Sequence, residues 1–295
     1  MRVLTYNIHH WEGTDGRVDV ARVAAVVRAS GADVAALNEV YHPVSAPDLD
    51  RPALTAMADM LGMHAVFGAA QPMAWPGSAQ PVGYGNACLS RHPIQAYATH
   101  RLPAPPGHEA RGLLEVRVAL ADGRALTVYI THLDHLSEQV RLTQVQAALQ
   151  WTARDRARPH LWMGDFNALA PDLPSPSPLL PPSSPNFGRG RGEGGDGEGL
   201  DPPSALEPSR LSVPAGASGE GQVIARLLRA GYVDCAAQAG SRQPTWSTTH
   251  PHQRIDYIFA SAALAPSLRA CWRWEEPPAA EASDHFAVVA EFAIA

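Results

Sequence analysis

Short apolar runs that stop at a carboxylate, carboxamide or imidazole constrain this chain more than any other feature. The most informative is Leu161-Trp162-Met163, followed at once by Gly164-Asp165-Phe166-Asn167. The run reads as a buried strand, and Asp165 and Asn167, two apart on an extended segment, would point the same way. Four other strand-like segments end or begin in similar groups: Tyr6-Asn7, Leu37-Asn38-Glu39, Ile130-Thr131-His132 and Ser283-Asp284-His285. Strand ends are where α/β folds gather ligand and catalytic groups. Convergence of these residues on one polar site is therefore expected.

The spacing between the runs points to an α/β fold. Val3 to Tyr6 is a strand. Asp19 caps a helix with Val20, Val23, Ala24 and Val27 on its apolar face, and Gly31 ends it. Asp33 to Leu37 is a second buried strand. A second helix covers Ala53 to Leu61. Strands follow at 65–67, 86–89, 94–99, 113–120 and 126–131, the last two joined by the turn Ala121-Asp122-Gly123-Arg124. Ser137 starts a long helix with Val140, Gln144, Ala147, Ala148 and Trp151 near one face, and Pro159 lies beyond its end. After the Gly164-Asp165-Phe166-Asn167 strand, a helix at 223–230 and strands at 254–259, 267–274 and 285–292 complete a single domain over residues 1–295.

Composition removes several chemistries. All 23 basic residues are Arg, so neither a phosphate-loop lysine nor Schiff-base catalysis is available. Cys88, Cys235 and Cys271 are scattered, which gives no zinc-ribbon spacing and fits free thiols in a reducing compartment. No stretch approaches the apolar length of a membrane span, and no secretory leader is visible. A soluble cytoplasmic monomer without a stable protein partner is expected. Residues 171–220 stand apart: 11 Pro and 9 Gly make up 40% of them, above the roughly 25–30% that marks low-complexity chain. Such a segment reads as a flexible surface insertion. Gly188-Arg189-Gly190-Arg191-Gly192 within it admits a nucleic-acid-binding reading, diluted by nearby acidic residues.

Taken in order, Thr5-Tyr6-Asn7-Ile8, Leu37-Asn38-Glu39-Val40, Thr131-His132-Leu133, Gly164-Asp165-Phe166-Asn167, Arg254-Ile255-Asp256-Tyr257-Ile258 and Ser283-Asp284-His285 resemble the endonuclease/exonuclease/phosphatase superfamily of DNase I-like metal phosphohydrolases. The resemblance runs from residue 5 to residue 285. It implies a four-layer α/β sandwich of two packed mixed β-sheets flanked by helices, and a divalent cofactor, Mg2+ or Mn2+. It further implies that Glu39 is the main metal carboxylate, with Asn7 and Asp284 close to the metal. Asp165 would orient or deprotonate the attacking water, and Asn167 would donate to phosphoryl oxygens. His285, held in its tautomer by Asp256, and His132 would contact the phosphate.

The chain departs from the family pattern in places. His9 and His10 follow Asn7 where a different polar residue is usual, and Asn38 stands where Gln is usual. Arg111, just before a strand, is either a bidentate phosphate ligand or a surface arginine. His132, Asp134 and His135 admit a zinc site, though without cysteine partners. Ser283-Asp284-His285 is no hydrolase triad, because consecutive side chains on a strand face opposite ways. The expected substrate is a phosphodiester, with DNA among the candidates. A phosphomonoester on a small metabolite or lipid headgroup is the alternative, and a phosphate-binding scaffold without catalysis is a third. Net charge −6 without a basic run disfavours an abundant DNA-degrading nuclease. Trp11, Trp75, Tyr84 and Trp246 either stack a ligand at the rim or pack the sheets.

Overall fold

The computed structural model describes residues 1–45, 49–73, 82–171 and 221–294. Two strand–helix–strand units organise it. In the first, β1 (Arg2–Asn7) and β2 (Val34–His42) run parallel, joined by α1 (Val20–Ser30). In the second, β7 (Ala125–His132) and β8 (His160–Asp165) run parallel, joined by α3 (Glu138–Thr152). Every other strand pairing is antiparallel.

Around these units the chain lays two six-stranded sheets. The remaining strands are β3 (His64–Met73), β4 (Val82–Ser90), β5 (Ile94–Arg101), β6 (Gly112–Ala119), β9 (Val233–Asp234), β10 (Asp256–Ala260), β11 (Leu268–Arg273) and β12 (Val288–Phe292). One sheet has the order β11-β12-β1-β2-β4-β3, the other β5-β6-β7-β8-β10-β9. Helix α2 (Ala53–Leu61) joins α1 outside the first sheet. Helix α4 (Gln222–Arg229) joins α3 outside the second, and α5 (Cys235–Gln238) and α6 (Ala279–Ala282) are single turns.

Three apolar clusters explain the layering. Val34, Ala36, Val116, Val128, Ile130, Met163 and Val288 fill the space between the sheets. Val23, Val27, Leu54, Met57 and Leu89 join α1 and α2 to the first sheet. Tyr129, Val145, Trp162, Phe259 and Leu227 join α3 and α4 to the second. The result is the expected sandwich of helices, sheet, sheet and helices. The three cysteines are free and buried.

Local signals account for most boundaries. Asp19 accepts from the Arg22 N–H at 2.9 Å, so it caps α1 as its position suggests. Gly31 ends the helix at φ +67°, a conformation that costs a side chain but not glycine.

Three expectations need correction. The buried face of α3 carries Arg141, Gln144, Val145, Ala148 and Thr152, while Trp151 is exposed. Polar side chains displace the apolar pattern there because they bond buried backbone: Arg141 donates to Asp134 O and Gln144 to Pro103 O. The last strand begins at Val288, and residues 283–287 form an irregular approach to it. After Asp165 the chain leaves the extended conformation, and Asn167 sits at φ +47°. Apart from Pro171, the expected insertion at 171–220 lies outside the described residues, as does Trp75. Among the described residues, no helix is long and apolar enough to cross a membrane.

Candidate active site

Each parallel strand pair opens at its carboxyl end, and the two openings face one another. Asn7 ends β1 and His132 ends β7. Asn38 and Glu39 sit at a bulge in β2, where pairing with β4 shifts register between Leu37 and Val40. Glu39 takes φ +60° there, so its side chain turns away from the regular strand alternation. Asp165 ends β8 and Asp256 starts the adjacent β10, paired directly across.

A buried polar bridge under the site stitches the sheets together. Asn38 donates to Asn86 Oδ1 at 2.8 Å and to Thr131 O at 2.9 Å. Its side-chain oxygen, Oδ1, accepts from the Asp165 N–H at 2.9 Å. Asn86 in turn donates to Gly112 O at 3.0 Å. Neither Asn was assigned a structural role from the sequence. The available signal was a carboxamide inside an otherwise apolar strand, which burial permits only with partners. Gly164 makes the close approach possible: at φ +143°, any Cβ would run into the Thr131 carbonyl.

Asp165 is the hub, and it is almost fully buried. Its Oδ2 accepts from Asn7 Nδ2 at 3.1 Å and lies 3.6 Å from His132 Nε2 and 3.8 Å from His285 Nε2. Its Oδ1 accepts the Asn167 N–H at 2.8 Å. Burial, then the nearby Asp256 charge, push its carboxyl up to about 7, against the opposing pull of His285. The Asn167 side chain donates to Leu133 O at 3.1 Å, which fixes its carboxamide at the rim of the site.

The two imidazoles are held differently. His285 Nδ1 lies 2.9 Å from Asp256 Oδ2. Burial opposes a charge on this ring, but Asp256, with Asp284 and Asp165 behind it, holds His285 protonated well above the usual histidine range. His132 Nδ1 lies 3.0 Å from the Arg111 guanidinium. Burial and the Arg111 charge keep His132 well below that range. Arg111 itself is only 3% exposed, and it also reaches Tyr84, His135 and Glu109. It sits behind His132 and not at the surface.

Glu39 accepts from Asn7 Nδ2 at 2.9 Å, and its other oxygen lies 3.1 Å from His10 Nε2. Burial opposes its ionisation, yet His10 and Asn7 outweigh burial and the Asp284 charge, so its carboxyl lies below the usual range. His10 is thus a neighbour of the site that only its unusual position after Asn7 hinted at. Asp284 accepts from Trp246 Nε1 at 3.1 Å. Because residues 283–287 are irregular, Asp284 and His285 approach the same pocket, with Asp284 Oδ1 3.9 Å from His285 Nε2. The alternation argument for that segment therefore fails, although Asp256 and not Asp284 faces Nδ1. Of the aromatic rim candidates, Trp11 and Tyr84 are buried, while Trp246 is partly exposed beside Asp284.

A hard divalent cation fits these donors. Glu39 and Asp284 are close enough that the Asp284 charge opposes that of Glu39, and a cation would relieve this. Asp256 Oδ1 is buried without a hydrogen-bond partner. Among the described residues, one group of three acidic or imidazole side chains brings a ligand atom from each within 4.8 Å: Asp165, Asp256 and His285. The His132, Asp134 and His135 zinc set does not converge. Asp134 binds His108 and caps the turn before α3, and both imidazoles turn Nδ1 to Arg111.

Comparison with known proteins agrees with this geometry. The chain is 31% identical over 176 residues to the uncharacterized protein YbhP of Escherichia coli strain K12, a match covering 56% of this chain and 66% of that protein. The matched segment thus spans just under two thirds of that relative. The crystal structure of an endonuclease/exonuclease/phosphatase from Beutenbergia cavernae is 25% identical, with TM-score 0.71, and the match covers 98% of this chain and 70% of that one. The 3′ phosphatase NExo from Neisseria, bound to a product DNA hairpin, shares the fold at 19% identity and TM-score 0.61, with 100% of both chains covered. The sequence pattern of the endonuclease/exonuclease/phosphatase family matches residues 4–285, and the chain belongs to that family.

Proposed function

We propose that this protein hydrolyses phosphate esters with a divalent cation, Mg2+ or Mn2+, and that phosphodiesters are its preferred class. The observation that carries the reading is the setting of Asp165. A buried carboxylate raised to about 7 lies between two imidazoles and an amide, within 4 Å of each. A group of that kind can accept a proton from water near neutral pH. As the water oxygen bonds to phosphorus, its proton passes to Asp165, and the ester P–O bond breaks with its electron pair leaving on the departing ester oxygen as an alkoxide. The His285 imidazolium, the His132 ring and the Asn167 carboxamide then face the phosphoryl oxygens, where negative charge grows. Glu39 would hold the cation, with Asn7 and Asp284 beside it. When bound there, it supplies Lewis-acid charge to the phosphoryl oxygens.

Fixed positive charge favours the diester. Among the described residues at this pocket, His285 carries a cation, whereas Arg111 is engaged with His132, His135 and Tyr84. Beside the proposed cation, a single side-chain charge that faces the pocket suits a singly charged diester better than a doubly charged monoester. Net charge −6 favours a short or small substrate over long duplex DNA.

The test is hydrolysis of bis(p-nitrophenyl) phosphate and p-nitrophenyl phosphate with Mg2+, Mn2+ or EDTA. Metal-dependent cleavage of the diester ahead of the monoester, lost in Glu39→Ala, is expected. Faster monoester cleavage would overturn the substrate class. Failure on both esters by protein that binds the cation in calorimetry would favour the scaffold.

A further inference from the structure

We infer that Arg111 is a positioning residue that locks His132 in its neutral tautomer with the proton on Nε2. A guanidinium carries only donors and does not lose its proton in proteins. Arg111 Nη1 lies 3.0 Å from His132 Nδ1, so Nδ1 must present its lone pair. A neutral imidazole has one N–H, and here it must sit on Nε2. That nitrogen is the one 3.6 Å from Asp165 Oδ2.

Arg111 is built to hold this orientation. Its other arm reaches His135 Nδ1 at 3.1 Å and Glu109 at 2.8 Å. Nη1 also donates to Tyr84 OH at 3.4 Å, and the guanidinium carbon lies 5.9 Å from the Tyr84 ring centre. Its backbone is pinned as well, because the Leu102 N–H donates to Arg111 O at 2.9 Å. A planar fork with this many contacts loses little freedom for each bond it makes.

The lock gives the two imidazoles opposite characters. Asp256 accepts the Nδ1 proton of His285, and Arg111 denies one to His132. With its Nδ1 lone pair occupied, His132 is a hydrogen-bond donor at the pocket and not a proton acceptor. Asp165 is then left to take the proton from water. This division of labour rests on the proposed hydrolytic reading, whereas the tautomer itself does not.

Two-bond 1H–15N spectra of the 15N-labelled full chain decide it, with the His132 signals assigned by their loss in His132→Gln. The expected pattern is a bare Nδ1 and a protonated Nε2. In Arg111→Leu the pattern should give way to a mixture of tautomers, with kcat falling about 10²-fold and KM nearly unchanged. Arg111→Lys, which keeps a donor, should restore part of both. A protonated or averaged Nδ1 in the parent protein overturns the inference, even if Arg111→Leu fails to fold. A bare Nδ1 in a protein that cleaves no phosphate ester would sink the proposed function and leave the lock standing.

Discussion

Nδ1 of His285 and Oδ2 of Asp256 lie 2.9 Å apart with both side chains almost wholly buried. Asp256 thereby settles which ring nitrogen faces the pocket and keeps the ring charged. In Asp256→Asn the acceptor becomes a neutral carboxamide. Steady-state kinetics should show kcat reduced by roughly 10²–10⁴-fold. Thermal unfolding should show a loss of several kcal/mol, roughly 3–5 for a buried charge left alone. A variant with near-parental kcat would remove Asp256 from the site's chemistry.

Asp165→Asn keeps the shape of the hub and removes its capacity to accept a proton. Turnover should fall by at least roughly 10²-fold while the fold, followed by near-ultraviolet circular dichroism, stays intact. Without the cation this carboxyl ionises at about 7; a bound cation should hold it ionised to lower pH, so the rising limb of kcat/KM in the parent protein should lie below that value. Retention of that rising limb in Asp165→Asn would assign it to another group.

Stability should depend on pH in a definite sense. Asp165 and His285 both have folded pKa values above their unfolded ones. Each therefore binds protons more tightly in the folded state, so its contribution is complete below the unfolded pKa. It fades as pH rises through the folded value. For Asp165 the window runs from the ordinary carboxylate range up to about 7. Denaturant titrations of the EDTA-treated protein and of Asp165→Asn should show the parent losing stability relative to the variant across that window, and a relative gain there would contradict the shift.

Removal of the cation should affect Glu39 and the bridge beneath it differently. Glu39→Ala should weaken Mg2+ binding by more than roughly tenfold in calorimetry and leave the unfolding midpoint close to the parent's. Asn38→Ala should do the reverse, because it strands the Asp165 N–H and the Thr131 carbonyl in a dry interior. About 1–3 kcal/mol of stability should be lost for each stranded group.

Gly164→Ala should be among the most damaging single changes. Its Cβ meets the carbonyl of Thr131 on the parallel neighbour, and that backbone has nowhere to move. Loss of soluble protein, or destabilisation above about 2 kcal/mol, is expected. Tolerance of alanine would show that β7 and β8 separate more readily than their register suggests.

The sequence was most legible where one residue decides one thing. Asp19 and Gly31 bracket α1 at the expected places, and apolar runs ending in Asn7, Glu39, His132 and Asp165 became strands or strand ends. Legibility failed where a side chain's role depends on partners far along the chain. Arg141 looks like a solvent-facing residue of α3, yet it is buried against the carbonyl of Asp134, while Gln144, expected on the packed face, is buried there with a bond to the carbonyl of Pro103. Arg111 read as either ligand or surface, because only the fold brings its guanidinium behind His132, 21 residues away. The bulge that turns Glu39 inward follows from pairing with β4 and leaves no trace in local spacing.

The placement of β1 has a consequence in time. It lies between β2 and β12, so its antiparallel neighbour is made long after it. Asn7 is synthesised well before Asp284 and His285. Until they arrive, β1 has one open edge and the Asn7–Asp165 contact lacks its third wall. A nascent chain can build the strand–helix–strand units as they emerge. The pocket can close only once Asp284 and His285 have emerged, and a growing chain that stops short of them carries no assembled site.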